Sequence, residues 1–388
     1  MTVHRGGGLG AAISSYILES RFEHTVLELE ESLRPNDDLG SKVITYDSSS
    51  ELLEIAKRYD IVLVHYYAHP LTSRAIFRLS QLPLDVKVVA WCHNNGLTDR
   101  QPLPQRLNDL VDLVILSGCE HKYFKGAEII RPLPKLKNYS TLLEQLTSSS
   151  QPEPLSFRYI GSLDESKICT SASEWFDYLQ SKGSFSVYTL DGAAKFSRFQ
   201  TFRGITDRKV LYDRRFCALY PLRGNHYGCG ELAIQELLML GFPVVLKRNK
   251  VELDITQNLS GVMFFHSLDA LIAIYSNLML AWPDLVASWR TRAVVNCDVI
   301  KKRKPYQTLD DSLEKVRSKM SVRESIDISY DAKDLLKFAY DANDDETLKS
   351  RLCSWAEVGS ASSPHKGSPS QFVAYFPELA PIIRFYTK

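Results

Sequence analysis

The chain has 388 residues, 44% hydrophobic and 24% charged, with 47 Lys+Arg against 46 Asp+Glu. That length exceeds what one hydrophobic core supports, so two domains are expected. The balanced charge gives no overall electrostatic reason to bind nucleic acid or a membrane. Seven scattered Cys, with no CxxC and no zinc-like spacing, read as small core residues of a reducing compartment, and a cytoplasmic location is expected. No signal peptide is visible, and the apolar run Ala270–Trp282 is read as too short to cross a membrane.

In chain order, the glycines Gly6, Gly7, Gly8 and Gly10 open a helix extending at most over Ala11–Leu33. Lys42–Tyr46 reads as a strand, Glu51–Arg58 as a helix and Asp60–His65 (DIVLVH) as a buried strand. Ser73–Leu82 follows as a helix, and Val86–Trp91 as a buried strand ending at Cys92-His93-Asn94-Asn95. Leu103–Val111 is helical, and Leu113–Ser117 and Ala127–Arg131 are strands. Continuous apolar strands alternating with helices argue a parallel sheet covered on both faces. Residues 138–156, with clustered Ser, Gln and Pro, read as a linker.

The alternation then restarts. Phe157–Gly161, Phe185–Leu190, Arg215–Tyr220, Pro243–Leu246 and Val262–Phe265 read as strands, and Ser173–Ser181 and Leu268–Leu278 as helices. From about Tyr306 the chain is helical and charged, with a loose stretch at Gly359–Ser370. The aromatic-rich Phe372–Tyr386 is expected to dock on the body. The expected organisation is therefore an α/β domain at 1–137, a linker at 138–156, a second α/β domain at 157–305 and a helical tail at 306–388.

Pro221–Val245 is the most informative stretch, reading PLRGNHYGCGELAIQELLMLGFPVV. It is a loop rich in glycine (Gly228, Gly230), then a short helix carrying Glu236, then a Gly-Phe-Pro-Val exit into a strand. Glycine permits close backbone approach to a ligand, and a helix N-terminus directs its free N–H groups at an anion. Glu236, one turn into that helix, can reach a ribose hydroxyl pair. The loop Gly6-Gly7-Gly8 has the same chemistry, its amides able to approach a diphosphate. The plainer reading of that loop is a strand–helix turn, of Lys167 a surface lysine, and of Glu236 a helix-surface carboxylate. His93 ends a buried strand, where an imidazole can hydrogen-bond sugar hydroxyls or a structural role can hold it. Ser117 and Cys119 carry no signature of a nucleophile partner. Lys301-Lys302-Arg303-Lys304 is a short basic run that leaves peripheral membrane contact open, although a solvated loop is the default.

Taken together, these stretches resemble the GT-B glycosyltransferases of the retaining glycogen-synthase and mannosyltransferase type (glycosyltransferase group 1). Their loop P-x-x-x-E-G-F-G leads into a helix E-A-x-x-x-G-x-P-V, and their second domain opens on V-G-R-L-x-x-x-K. Here YIGSLDESK keeps the Lys as Lys167 and has Ser162 at the Arg position. Arg158, Arg203, Lys209 and Arg223 are candidate replacements. Glu236 matches the second Glu of the family's pair. The first Glu falls on Gly228 by spacing or on Asn225 by counting from Pro221, and Glu231 is a third candidate.

The resemblance implies two Rossmann-like, doubly wound parallel-sheet α/β domains facing a cleft, the GT-B fold. It implies a glycosyltransferase moving a sugar from a UDP- or GDP-linked donor to a hydroxyl of a glycan or other acceptor, with retention, no metal and no cofactor. Lys167 and Gly6–Gly8 would hold the diphosphate and Glu236 the ribose, with Gly228 and Gly230 close to the donor. His93 with Asn225 or His226 would hold the sugar. Two alternatives stay open: a GT-B-shaped binding protein with degraded catalysis, and a same-fold nucleotide-sugar epimerase or nicotinamide oxidoreductase. No nucleic-acid partner is expected.

Overall fold

The computed structural model describes residues 1–2, 7–30, 42–45, 49–98, 101–134, 139–148, 153–163, 167–183, 185–189, 199, 201–203, 207–226, 228, 231–321, 323, 331–356 and 367–387. Two compact units divide the chain. The first comprises Met1–Pro132, Tyr227–Cys229 and Pro305–Lys388, and the second Leu133–His226 and Gly230–Lys304.

The first unit begins with α1 (Gly7–Glu19), β1 (Thr25–Glu28), β2 (Lys42–Thr45), α2 (Ser49–Ala56) and β3 (Ile61–Tyr66). It continues with α3 (Pro70–Leu79), β4 (Lys87–Cys92), α4 (Leu107–Leu110) and β5 (Leu113–Leu116). β3, β4 and β5 form a parallel sheet, and β1 and β2 a parallel pair. Met1 and Thr2 connect the two sets: Thr2 bridges to Glu28, and His65 donates its backbone N–H to Met1 O. Every residue of β4 is buried, as its unbroken apolar sequence requires of a central strand. α3 starts where Pro70 supplies a preset φ and His69 caps it, Nδ1 accepting from Leu71 N at 3.2 Å.

α1 ends at Glu19, well short of Leu33, and β1 follows where the sequence reading continues the helix. A distant carboxylate explains the stop. Asp310 is 3% exposed and accepts hydrogen bonds from Tyr16 OH, Ser20 Oγ and Arg21 N, each at 2.8 Å. Capturing Arg21 N takes it out of the helical ladder and turns the chain into Thr25-Val26-Leu27. Asp310→Ala is expected to cost about 3 kcal/mol, since three bonds to a charge are lost and a buried tyrosine hydroxyl is orphaned. A denaturant titration would read this as a lower midpoint at unchanged slope.

The second unit holds α5 (Tyr139–Ser148), β6 (Phe157–Ile160), α6 (Ala172–Ser181), β7 (Phe185–Thr189), β8 (Thr201–Arg203), α7 (Arg208–Leu211) and β9 (Cys217–Tyr220). After these come α8 (Leu232–Met239), β10 (Val244–Lys247), α9 (Lys250–Ile255), β11 (Val262–Phe265), α10 (Leu268–Ala287) and α11 (Trp289–Lys301). Its six strands are all parallel, in the order β11-β10-β9-β6-β7-β8. The direction of winding reverses between β6 and β9.

Part of the expected linker is helical. α5 buries Leu142, Leu143 and Leu146, and Tyr139 donates its hydroxyl to Met239 O at 3.1 Å. That apolar spacing, i, i+1, i+4, is a helix face that the flanking Ser and Pro obscured. α10 also runs past the expected Leu278, through Pro283 to Ala287, and is long and apolar enough by composition to cross a membrane. In this fold it is a surface helix that buries Leu271, Leu278 and Trp282. The Gly-Phe-Pro-Val exit behaves as its sequence requires. Gly241 sits at φ +87°, and an added Cβ would lie 2.7 Å from Trp289 O, so only glycine fits without displacing backbone.

The tail returns to the first unit as α12 (Pro305–Arg317), α13 (Ala332–Ala339), α14 (Asp345–Ala356), α15 (Pro369–Tyr375) and α16 (Ala380–Thr387). It carries its own apolar cluster, including Leu335, Leu352, Phe372 and Leu379. It docks on α3, where Phe338 meets Phe77 edge-on at 5.0 Å and the Arg74 guanidinium lies 4.9 Å over Phe376. Within Phe372–Tyr386, Tyr375 and Phe376 face α3 and its cap, with Tyr375 5.0 Å from the His69 ring, while α16 packs on α14.

Candidate functional site

In an open parallel sheet, ligands sit at the carboxyl ends of the strands, where the winding direction reverses. In the second unit that point lies between β6 and β9. The loop leaving β6 carries Lys167 and the loop leaving β9 carries Arg223. The two loops are zipped together: Ile168 pairs with Leu222, Cys169 N donates to Pro221 O at 2.9 Å, and Arg223 N donates to Lys167 O at 2.8 Å. This brings two cations of distant sequence side by side.

Lys167 is buried, and its Nζ lies 2.8 Å from Glu231 Oε2. Glu231 immediately precedes α8, at its N-cap, where the helix dipole also favours a negative charge. Burial alone would raise the Glu231 carboxyl. The Lys167 ammonium outweighs burial, aided by His226, and holds the carboxyl below the ordinary glutamate range. A depressed carboxyl stabilises the fold above the unfolded value of about 4.3 and loses that contribution as pH falls through the lower folded value. The stability difference between wild type and Glu231→Gln is therefore expected to shrink below about pH 4. Denaturant midpoints at pH 7 and pH 3 would check this, and an unchanged difference would refute it.

Of the four candidate cations, Arg223 is the one whose backbone is bonded directly to that of Lys167. Arg158 is buried, with Nη2 2.6 Å from Asp213 Oδ1, Nη1 donating to Leu211 O, and Phe216 against its plane. Lys209 is exposed on α7, and only the backbone of Arg203 is described. Arg223 is half-buried and donates Nε to Ile168 O at 2.8 Å. Among the described residues its two terminal nitrogens have no partner. Lys247, at the end of β10, adds a third cation near Cys169, with its ammonium 5.6 Å over the Trp175 ring.

Glu236 is buried one turn into α8. Arg208 grips it through Nη2 at 2.5 Å and Nε at 3.3 Å, and Tyr212 OH donates to Oε2 at 2.8 Å. Burial and the Glu236 carboxylate raise the Tyr212 phenol well above its ordinary range, so it stays a proton donor. Arg208 and Tyr212 were not singled out from sequence. They lie 28 and 24 residues away, and no local pattern links them to Glu236.

The remaining loop residues fare differently. Asn225 is exposed. His226 is fully buried, with Nε2 3.0 Å from Glu252 Oε1, and Glu252 is equally buried. This geometry makes His226 a brace between the loop and α9, and the structure does not turn its ring toward solvent. Gly6 and Gly230 lie outside the described residues. Gly7 and Gly8 form the first turn of α1, and a Cβ on Gly8 would meet open space. Gly228 belongs to the first unit, where it bridges to Asn94 and its carbonyl accepts from Asn95 Nδ2 at 2.7 Å.

His93 follows β4 at the carboxyl edge of the first sheet. Its Nε2 lies 3.0 Å from His65 Nδ1 and its Nδ1 lies 3.4 Å from Ser117 Oγ. Burial pushes the His93 imidazole down to about 3, so the ring is neutral at ordinary pH. His65 is buried at the end of β3 and is likewise held well below its ordinary value, by burial and then by His93. Among the described residues no group of three or more His, Cys, Asp or Glu side chains is gathered as metal ligands.

No family model matches the sequence, and no curated protein matches it either. Solved structures do match. An alpha-glucosyltransferase in complex with UDP and a mismatched 13-mer DNA superposes with TM-score 0.58 at 13% identity, over 82% of this chain and 98% of that one. HepE of Anabaena, in complex with UDP, gives TM-score 0.58 at 12% identity, over 81% and 97%. The chain has the GT-B fold. TarM shares it with TM-score 0.51 at 13% identity; the match spans 70% of this chain and 57% of TarM. The GT-B expectation read from Pro221–Val245 and YIGSLDESK thus holds at the level of fold.

Proposed function

We propose that this GT-B protein is a glycosyltransferase that takes a sugar from a nucleoside-diphosphate donor and passes it to a hydroxyl acceptor, with retention and without a metal. One observation carries the reading: the reversal point of the second sheet holds Lys167 and Arg223 together, and among the described residues the terminal nitrogens of Arg223 are uncommitted. Two cations there would offset the charge that builds on the departing diphosphate. Arg223 takes the part that Ser162 cannot. Glu236, held by Arg208 and Tyr212, keeps its carboxylate oriented for a ribose diol. In the first unit, His93 and the first turn of α1 at Gly7 and Gly8 are the groups proposed for the sugar and phosphate. No covalent nucleophile is required on this reading; positioning and stabilisation of the leaving group supply the rate.

HepE and the alpha-glucosyltransferase were both solved with UDP, which makes UDP-sugars the first donors to test. The experiment is a panel of UDP- and GDP-sugars, followed for release of nucleoside diphosphate with and without hydroxyl acceptors, in chelator. Release that needs an acceptor supports the proposal. Failure of every nucleotide to bind or turn over would sink it.

A second reading, a nucleotide-sugar binder without turnover, is favoured by one contact. Glu231 neutralises Lys167, and a diphosphate would have to share that lysine. Binding without release in the same panel would select this reading.

A further inference from the structure

The carboxyl ends of β3, β4 and β5 gather His65, His93 and Ser117 into one hydrogen-bonded chain. His65 Nδ1 meets His93 Nε2 at 3.0 Å, the two rings lie within 13° of parallel, and Ser117 Oγ stands 3.4 Å from His93 Nδ1. Backbone bonds fix the frame: His93 N donates to Tyr66 O at 2.7 Å and Ser117 N to Cys92 O at 3.0 Å. The Trp91 indole packs on both imidazoles, 5.3 Å from His65 and 4.8 Å from His93.

A neutral imidazole has one donor and one acceptor. A single proton lies between the two facing nitrogens, so its placement decides what His93 Nδ1 can do. Neutral imidazoles intrinsically favour the Nε2–H tautomer. With both rings in that form, His93 Nε2–H donates to His65 Nδ1, and Ser117 donates to His93 Nδ1. The opposite direction puts both rings in the disfavoured tautomer. His65 also lines a cavity of about 120 Å³ with Tyr16, Glu23 and His24, which has room for water to accept from its own Nε2–H.

We propose that His65 is a positioning residue that fixes His93 as its Nε2–H tautomer, leaving the Nδ1 lone pair to accept a hydrogen bond from a substrate hydroxyl that displaces Ser117. The contact to Ser117, at 3.4 Å, is at the long limit for a hydrogen bond and is easily exchanged. The role of His93 toward a sugar rests on the transferase reading, whereas the tautomer does not.

The test therefore starts without substrate. In the full chain labelled with 15N-histidine, two-bond 1H–15N correlations at neutral pH are expected to show His93 protonated at Nε2 and bare at Nδ1. A protonated Nδ1, or an imidazolium, would overturn the proposal whatever the protein catalyses. His65→Asn, with a carbonyl to accept from Nε2–H, is expected to keep the tautomer, and His65→Phe to mix the two forms. Under the transferase reading His65→Phe lowers kcat by at least about tenfold at unchanged donor KM, as a mis-set catalytic tautomer does elsewhere, and His65→Asn restores it. Should His65→Phe fail to fold, Ser117→Ala keeps the proposal falsifiable. It removes the Ser117 hydroxyl from His93 and leaves His65 in place, so a switch of His93 to Nδ1–H in that variant refutes control by His65.

Discussion

Arg223→Ala is expected to weaken binding of UDP or GDP by roughly 10- to 100-fold, the loss of charge-assisted bonds of about 1.5–3 kcal/mol. Fold stability should change little, because among the described residues Arg223 makes one side-chain bond, Nε to Ile168 O. Lys167→Ala is expected to do more. It removes a phosphate contact and also leaves Glu231, mostly buried, without its cation. An uncompensated carboxylate there costs about 3 kcal/mol of stability and repels the incoming diphosphate. The double change Lys167→Ala with Glu231→Gln separates the two effects: stability returns while affinity stays lost. Calorimetric titration of the four proteins, with denaturant midpoints, completes the cycle. If the double change regains full nucleotide affinity, Lys167 is a structural partner of Glu231 and does not hold phosphate.

Glu252→Ala is expected to be the most damaging single change for stability in the second unit. His226 and Glu252 are both 0% exposed, and the truncation leaves a buried imidazole facing a cavity. The cost is about 3 kcal/mol or more. Glu252→Gln keeps an acceptor for the ring and should lose roughly 1–2 kcal/mol. Because the pair ties the loop leaving β9 to α9, nucleotide affinity should fall with Glu252→Ala even at temperatures where the protein stays folded. A drop below about 1 kcal/mol would show that the pair is not a brace.

Much of the fold was legible because its signals are local. The apolar runs DIVLVH and VKVVAW could only be buried strands, and the Gly-Phe-Pro-Val exit announced the turn that Gly241 makes at φ +87°. Lys167 and Glu236 were singled out because each falls within a short motif that resembles the family's. The errors came where a distant group overruled the local pattern. Asp310, 290 residues from Ser20, ends α1, which propensity alone would have prolonged. His226 reads as a loop histidine beside glycines and is instead sealed against Glu252. Ser117 showed no partner in sequence, because its neighbour His93 arrives from another strand.

The GT-B class was read from resemblance to a known family, and the sequence by itself determined the alternation of strands and helices and where along it the glycines, Lys167 and Glu236 fall. These depend on residue periodicity and backbone preference, which act over a few residues. Only the tertiary structure decided which charge meets which: Glu231 on Lys167, Arg208 on Glu236, Arg223 rather than Arg158 beside the lysine, and His65 behind His93. Hydrogen-bond and ion-pair partners are chosen by the packing of the sheet and its crossovers, and sequence separation carries no record of that choice.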